Sequence, residues 1–224
     1  DETSYLFRGV VHGLRNEHDK AIADFTEAIR LDPDEYHLLY NRGYARLMKG
    51  DYDQAIEDFN EAIRRDPKYA EAYFRRGNAY AAKEDYDKAI TDYSEAIKQN
   101  PELDYSYSGR GDARLRKGNY DQAIDDFNEA IKRNPNDSSA FSSRGYAWMS
   151  KEEHDKAIAD FDATIKLDPN DAFAHLCRGA EWERKRIFDR AINDCTEATR
   201  LQPENLQAHQ RRAWLLATAP DATL

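Results

Sequence analysis

The sequence predicts an all-α protein made of stacked helix pairs, and three observations predict it. Pro33, Pro67, Pro101, Pro135, Pro169 and Pro203 stand 34 residues apart, each 24 residues after a glycine: Gly9, Gly43, Gly77, Gly111, Gly145 and Gly179. A fixed period of that size marks one supersecondary unit copied along the chain. Each copy is too small to bury its apolar face alone, so neighbours must stack. Within the second period, Tyr52, Ala55, Ile56, Phe59, Ala62 and Ile63 fall on one face of a helix. An aspartate opens that helix in every period (Asp19, Asp53, Asp87, Asp121, Asp155, Asp189). A basic residue closes it (Arg30, Arg64, Lys98, Lys132, Lys166, Arg200), as the helix dipole favours.

Six periods run from Glu2 to Asn205: 2–35, 36–69, 70–103, 104–137, 138–171 and 172–205. In the second, Tyr36 to about Lys49 reads as the first helix, with helix-forming residues and no proline. Lys49-Gly50-Asp51 breaks it from the second, which starts near Tyr52 with Asp53 as a cap or as a charge on its positive end. Asp66-Pro67 stops the second helix, because a residue before proline is pushed out of the α region. The other periods read the same way. Leu206 to about Ala217 then repeats a first helix, with Arg212 and Ala213 in the Arg-Gly places, and stops at Pro220. Such a helix caps an array, although Trp214, Leu215 and Leu216 are apolar for a solvent-facing one. Either further chain follows Leu224 or this surface meets another chain. The absence of methionine at Asp1 reads as an excised piece.

The net charge is −10, from 33 basic and 43 acidic residues, and it argues against binding to a phosphate backbone or an anionic membrane. Charged signs alternate along the chain, which speaks against a disordered tail. No run approaches 18 apolar residues, so no membrane insertion is expected. Two cysteines, Cys177 and Cys195, lack C-x-x-C spacing; their usage fits a reducing compartment and favours the cytoplasm. Six histidines show no metal-binding spacing, and phosphate loops and nucleophile elbows are absent. Carboxylates recur with the period, so no pair stands apart as acid and base. No catalytic residue, metal or cofactor is expected.

The recurring positions resemble the tetratricopeptide repeat family. The glycines and prolines carry the resemblance, with Ala21, Ala55, Ala89, Ala123, Ala157 and Ala191. An aromatic at Phe25, Phe59, Tyr93, Phe127 and Phe161 and a small residue at Ala28, Ala62, Ala96, Ala130 and Ala198 complete it. The sixth period departs, with Cys195 for the aromatic and Thr199 for isoleucine. The resemblance spans Glu2 to Asn205. It implies a right-handed α-solenoid of antiparallel helix pairs, with first helices on the concave side.

One departure recurs. The family's apolar residue before the glycine is here arginine: Arg8, Arg42, Arg76, Arg110, Arg144, Arg178 and, in the tail, Arg212. The second helices carry Asp24, Asp58, Asp92, Asp126, Asp160 and Asp194 before the aromatic position. Taking the small pairs Ala62/Ala72 and Ala96/Ser106 as points of close approach, antiparallel stepping joins Asp58 to Arg76 across periods. The same rule joins Asp24 to Arg42, continues to Asp194 with Arg212, and leaves Arg8 alone.

The resemblance also implies a ligand face. Its positions carry Tyr40, Asn41 and Tyr44, then Phe74, Arg75 and Asn78, then Tyr105, Ser108 and Asp112, then Ser142 and Tyr146, followed by Phe173 and Leu176. Tyrosine and phenylalanine offer large contact area at low entropic cost, which suits peptide recognition, although some of these rings could instead pack between neighbours. Leu6, Val10 and Glu71 stand where the family's carboxylate-gripping subtype needs Lys, Asn and Lys; only Asn41 and Arg75 match it. The expected function is a protein–protein interaction scaffold for a protein or peptide ligand, without nucleic acid. Two alternatives stay open. One is head-to-tail self-association through Tyr5–Leu6–Phe7 and Trp214–Leu215–Leu216; the other is a targeting arm of a larger enzyme.

Overall fold

The computed structural model describes residues 1–218, and among them are thirteen α-helices and no strand. They fall into two compact units, residues 1–117 and residues 118 onward. The first unit holds α1 (Glu2–Leu14), α2 (His18–Leu31), α3 (Tyr36–Lys49), α4 (Tyr52–Arg65), α5 (Ala70–Ala82), α6 (Tyr86–Gln99) and α7 (Asp104–Arg116). The second holds α8 (Tyr120–Arg133), α9 (Ser138–Ser150), α10 (His154–Leu167), α11 (Ala172–Arg184), α12 (Phe188–Leu201) and α13 (Leu206–Thr218). Pro220, read from the sequence as the stop of the last helix, lies outside the described residues.

Local chemistry sets the helix ends. After the first helix of a period the chain turns through one residue with positive φ: Gly50 (91°) and Gly118 (77°), but also Asn16 (57°), Glu84 (60°), Glu152 (60°) and Arg186 (61°). Asp51, Asp85, Glu153 and Ile187 then donate their N–H back to the carbonyls of Arg46, Tyr80, Trp148 and Trp182, closing a left-handed helix cap. Second helices end on Asp32, Asp66, Asn100, Asn134, Asp168 or Gln202, each displaced from helical geometry by the proline that follows. The Asp66 and Asn100 side chains accept from the N–H two residues on, which tightens the turn.

Helices of one hairpin approach at the repeated glycine. A Cβ on Gly43 would stand 2.9 Å from the Phe59 ring, and one on Gly77 would stand 2.8 Å from Tyr93. Apolar burial is distributed along each unit. Phe25 packs with Ala21 and Ala45, Leu39 with Ala62 and Ala72, and Tyr93 with Ala89 and Ala113 in the first unit. Phe161 with Ala157 and Ala174, and Leu176 with Cys195 and Leu215, do the same in the second.

The structure corrects the arginine–aspartate register. Each pair closes within one hairpin: Arg8–Asp24, Arg42–Asp58, Arg76–Asp92, Arg144–Asp160 and Arg178–Asp194, held through two guanidinium nitrogens at 2.6–3.0 Å. Arg8, expected to be alone, therefore has a partner. Three of the glycines next to these arginines abut the aspartate: a Cβ on Gly43, Gly145 or Gly179 would lie 3.1–3.2 Å from the Cβ of Asp58, Asp160 or Asp194. That contact, not the alanine pair, sets the register.

The third guanidinium nitrogen reaches one hairpin back. Arg42, Arg76, Arg144 and Arg178 use Nη1 to donate to Thr26, Asn60, Asn128 and Asp162. Arg110 donates likewise to Ser94, and Arg212 bonds Thr196 through Nε rather than reaching Asp194. Each of these arginines is thus a clip between neighbouring hairpins.

Five of the aspartates that open second helices also find partners. Asp53 makes no capping bond; α4 begins after Asp51 without one, and Asp53 instead pairs with Lys83. Asp19 with Lys49, Asp87 with Lys117, Asp121 with Lys151 and Asp155 with Lys185 form the same exposed ladder between hairpins. Exposed pairs of this kind are screened by solvent, so the ladder adds little to stability.

Candidate functional site

In the first unit, α3, α5 and α7 bring the expected ligand-face residues together. Phe74 packs on Tyr105 with ring centroids 4.4 Å apart and on Tyr93 at 5.7 Å. Tyr40 packs on Tyr69 at 5.0 Å and on Phe59 at 6.0 Å, so it is an inter-hairpin packing residue as well as a surface one. The Arg75 guanidinium lies 4.6 Å from the Tyr44 ring centroid and 5.3 Å from that of Phe74. Its Nε is buried without a hydrogen-bond partner, and so is the Ser108 hydroxyl. Asn78 accepts a 2.8 Å hydrogen bond from the Tyr93 hydroxyl. Tyr105 and Asp112 are exposed.

Burial, with Glu71 nearby, raises the Tyr105 hydroxyl above its ordinary value, and burial with Asp112 nearby raises Tyr93. Both phenols stay neutral, and that of Tyr93 donates to Asn78.

The expected positions in the second unit behave differently. Tyr146 lies 6.2 Å from Phe173, and both are exposed. Ser142 and Leu176 are buried; Leu176 belongs to the core cluster with Ala191 and Cys195 and offers no ligand surface.

Two clefts open on the first unit beside the expected residues. The first, about 350 Å³, lies between α1 and α3. Asn41 and Tyr44 line it, but so do Val10, Leu14, Phe25 and Met48, which sequence reasoning did not assign to a ligand face. Leu14 is 81% and Met48 52% exposed. The signal was present: both are apolar residues in the last turn of a first helix, outside the recurring packing positions. The second cleft, about 430 Å³, lies between α5 and α7 and is polar, with Asn78, Glu84, Tyr93, Gly109, Asp112 and Arg116 on its walls.

Nucleophilic chemistry has little footing in the cysteines. Burial pushes the Cys177 thiol up to about 12 and the Cys195 thiol up to about 11, so both stay protonated. Among the described residues no group of three His, Cys, Asp or Glu side chains could hold a metal, and no helix is long and apolar enough to cross a membrane.

The family model described as tetratricopeptide repeat matches residues 11–70, 45–104 and 109–172. The chain belongs to the tetratricopeptide repeat family. No curated protein matches it at a significant level. Among solved structures, this tetratricopeptide repeat chain is similar to YrrB, described as a repeat protein with an unusual peptide-binding site. The two are 23% identical over 84% of this chain and 97% of that one, with a TM-score of 0.71. PilF of Pseudomonas aeruginosa is 18% identical over 95% of this chain and 97% of its own, with a TM-score of 0.83. MamA is 26% identical over 72% and 95%, with a TM-score of 0.68. At such identities the likeness to YrrB and PilF shows the helical-repeat fold alone.

Proposed function

We propose that this tetratricopeptide repeat protein is a noncatalytic scaffold that binds an extended segment of a partner protein. The binding face is the one that α1, α3, α5 and α7 present. One observation carries the reading: successive first helices place Tyr44, Arg75, Phe74 and Tyr105 in one contacting row, partly open to solvent. Aromatic side chains and arginine supply most of the energy in protein interfaces, because they bury large area with few torsions to freeze. Arg75 adds a cation with no carboxylate paired to it among the described residues.

The test is peptide binding by fluorescence anisotropy, using sequences enriched from a random twelve-residue display library. Tyr44→Ala and Tyr105→Ala are expected to weaken binding about tenfold each, since a well-placed interface aromatic is worth more than ~1 kcal/mol. Unchanged affinity in both variants would place the binding face elsewhere. A second reading, self-association, draws on Phe7, 68% exposed on α1, and Trp214, 52% exposed on α13. Light scattering at two concentrations decides it, because a plain scaffold keeps one mass.

A further inference from the structure

The two clefts beside the expected ligand-face residues are the same site, two periods apart. Every lining residue of the second lies two 34-residue periods beyond a lining residue of the first. The backbone geometry is shared and the side chains are not. Val10 becomes Asn78, Tyr44 becomes Asp112, Asn16 becomes Glu84 and Met48 becomes Arg116, so an apolar cleft is repeated as a polar one. At the equivalent place between them, the Arg75 guanidinium lies against the Tyr44 ring. The second cleft opens because its wall is Gly109, where the preceding first helix has Arg75 and the one before that Asn41.

We propose that the face reads its partner at alternate periods. A bulky apolar side chain enters the first cleft, and a lysine or arginine of the same segment enters the second. This rests on the binding face proposed above and adds the chemistry of its ligand. Apolar walls with exposed Leu14 and Met48 gain most by covering with an apolar side chain. The walls of the second cleft carry two carboxylates, Asp112 and Glu84, and the cation Arg116, with Tyr86 and Tyr93 alongside. A ligand cation meets a net negative, aromatic-walled site there. The net charge of −10 draws basic segments toward the surface over a longer range.

Gly13 provides a clean test. It lines the first cleft, and a Cβ built there meets nothing within 4 Å, so a large side chain can fill the cleft without disturbing the packed helices. Peptides from a random twelve-residue display library are selected on the wild-type protein, and one enriched sequence is synthesised. Enriched sequences are expected to pair Leu, Ile, Met or Phe with a downstream Lys or Arg. Gly13→Trp, checked for folding by circular dichroism, is expected to lower affinity at least tenfold. Replacing the peptide's basic residue by alanine should cost the wild type at least fivefold and the Asp112→Asn/Glu84→Gln variant less than twofold. Enriched sequences lacking either residue type, or full affinity in Gly13→Trp, would overturn the proposal. If Tyr44→Ala and Tyr105→Ala abolish binding while Gly13→Trp and Asp112→Asn/Glu84→Gln do not, the face binds but the clefts do not read. If no peptide is enriched, both the face and its chemistry fall.

Discussion

Removing Arg76 separates the clip observed here from any looser surface pairing. Arg76 donates to both oxygens of Asp92 at 2.6 and 2.7 Å and to Asn60 at 2.6 Å. Arg76→Leu leaves the buried Asp92 carboxylate without a countercharge. Burial already lifts that carboxyl above its ordinary value, more than Arg76 pulls it down. Stranding one partner of a buried pair costs roughly 3–5 kcal/mol, and because the Arg76 side chain is 18% exposed the low end, about 3 kcal/mol, is expected. Replacing both partners by leucine removes the stranded charge. The remaining loss is the Asn60 bond, about 0.5–1.5 kcal/mol. Arg76→Leu/Asp92→Leu should therefore unfold at a higher urea concentration than Arg76→Leu alone, a difference in stability of about 2 kcal/mol. Asp58→Leu should not rescue Arg76→Leu. Asp58 is bound by Arg42 and Arg46, each at 2.7 Å, so its removal adds a second loss. Equal urea midpoints for Arg76→Leu and the Asp92 double variant, or rescue by Asp58→Leu, would refute the register described here.

Two further outcomes follow from single positions. Glu152 sits at φ 60°, where a side chain is strained and glycine is not, so Glu152→Gly should raise stability by about 1 kcal/mol in urea titration; a loss would mean the side chain does more than occupy the turn. Burial raises the Asp194 carboxyl, but hydrogen bonds from Arg178 and then His175 outweigh it and hold the group below its ordinary value. Its contribution to stability is therefore full above the unfolded-state value and is lost as pH falls through the lower folded one. Asp92 runs the opposite way: its folded value is raised, so it favours the folded state at low pH and loses that contribution as pH rises through the folded value. Carboxyl-carbon NMR titration should place Asp194 below and Asp92 above the ordinary aspartate range, and the reverse order would contradict the balance of burial and pairing argued for the two sites.

Much of the fold was legible because helix periodicity and punctuation are local. Tyr52, Ala55, Ile56, Phe59 and Ala62 announce the buried face of α4 without reference to anything distant, and Asp66-Pro67 announces its end. Turn residues were less legible: Gly50 is an obvious left-handed cap, whereas Glu84 and Arg186 adopt the same φ only because the hairpin requires it. For the ligand face, sequence reasoning named Tyr44 and Arg75 but not Leu14 and Met48, because a period shows which positions recur and not which recurring position borders a void.

By itself the sequence determined the period, the helix pair within it and the family, since each depends on spacing along one chain. Only the tertiary structure decided that arginine pairs within its hairpin and clips to the one before, and that two equivalent clefts carry opposite character. Both depend on how far one helix slides along another. That offset is set by ring-against-backbone contacts such as Phe59 under Gly43, and no linear pattern of residue types encodes it.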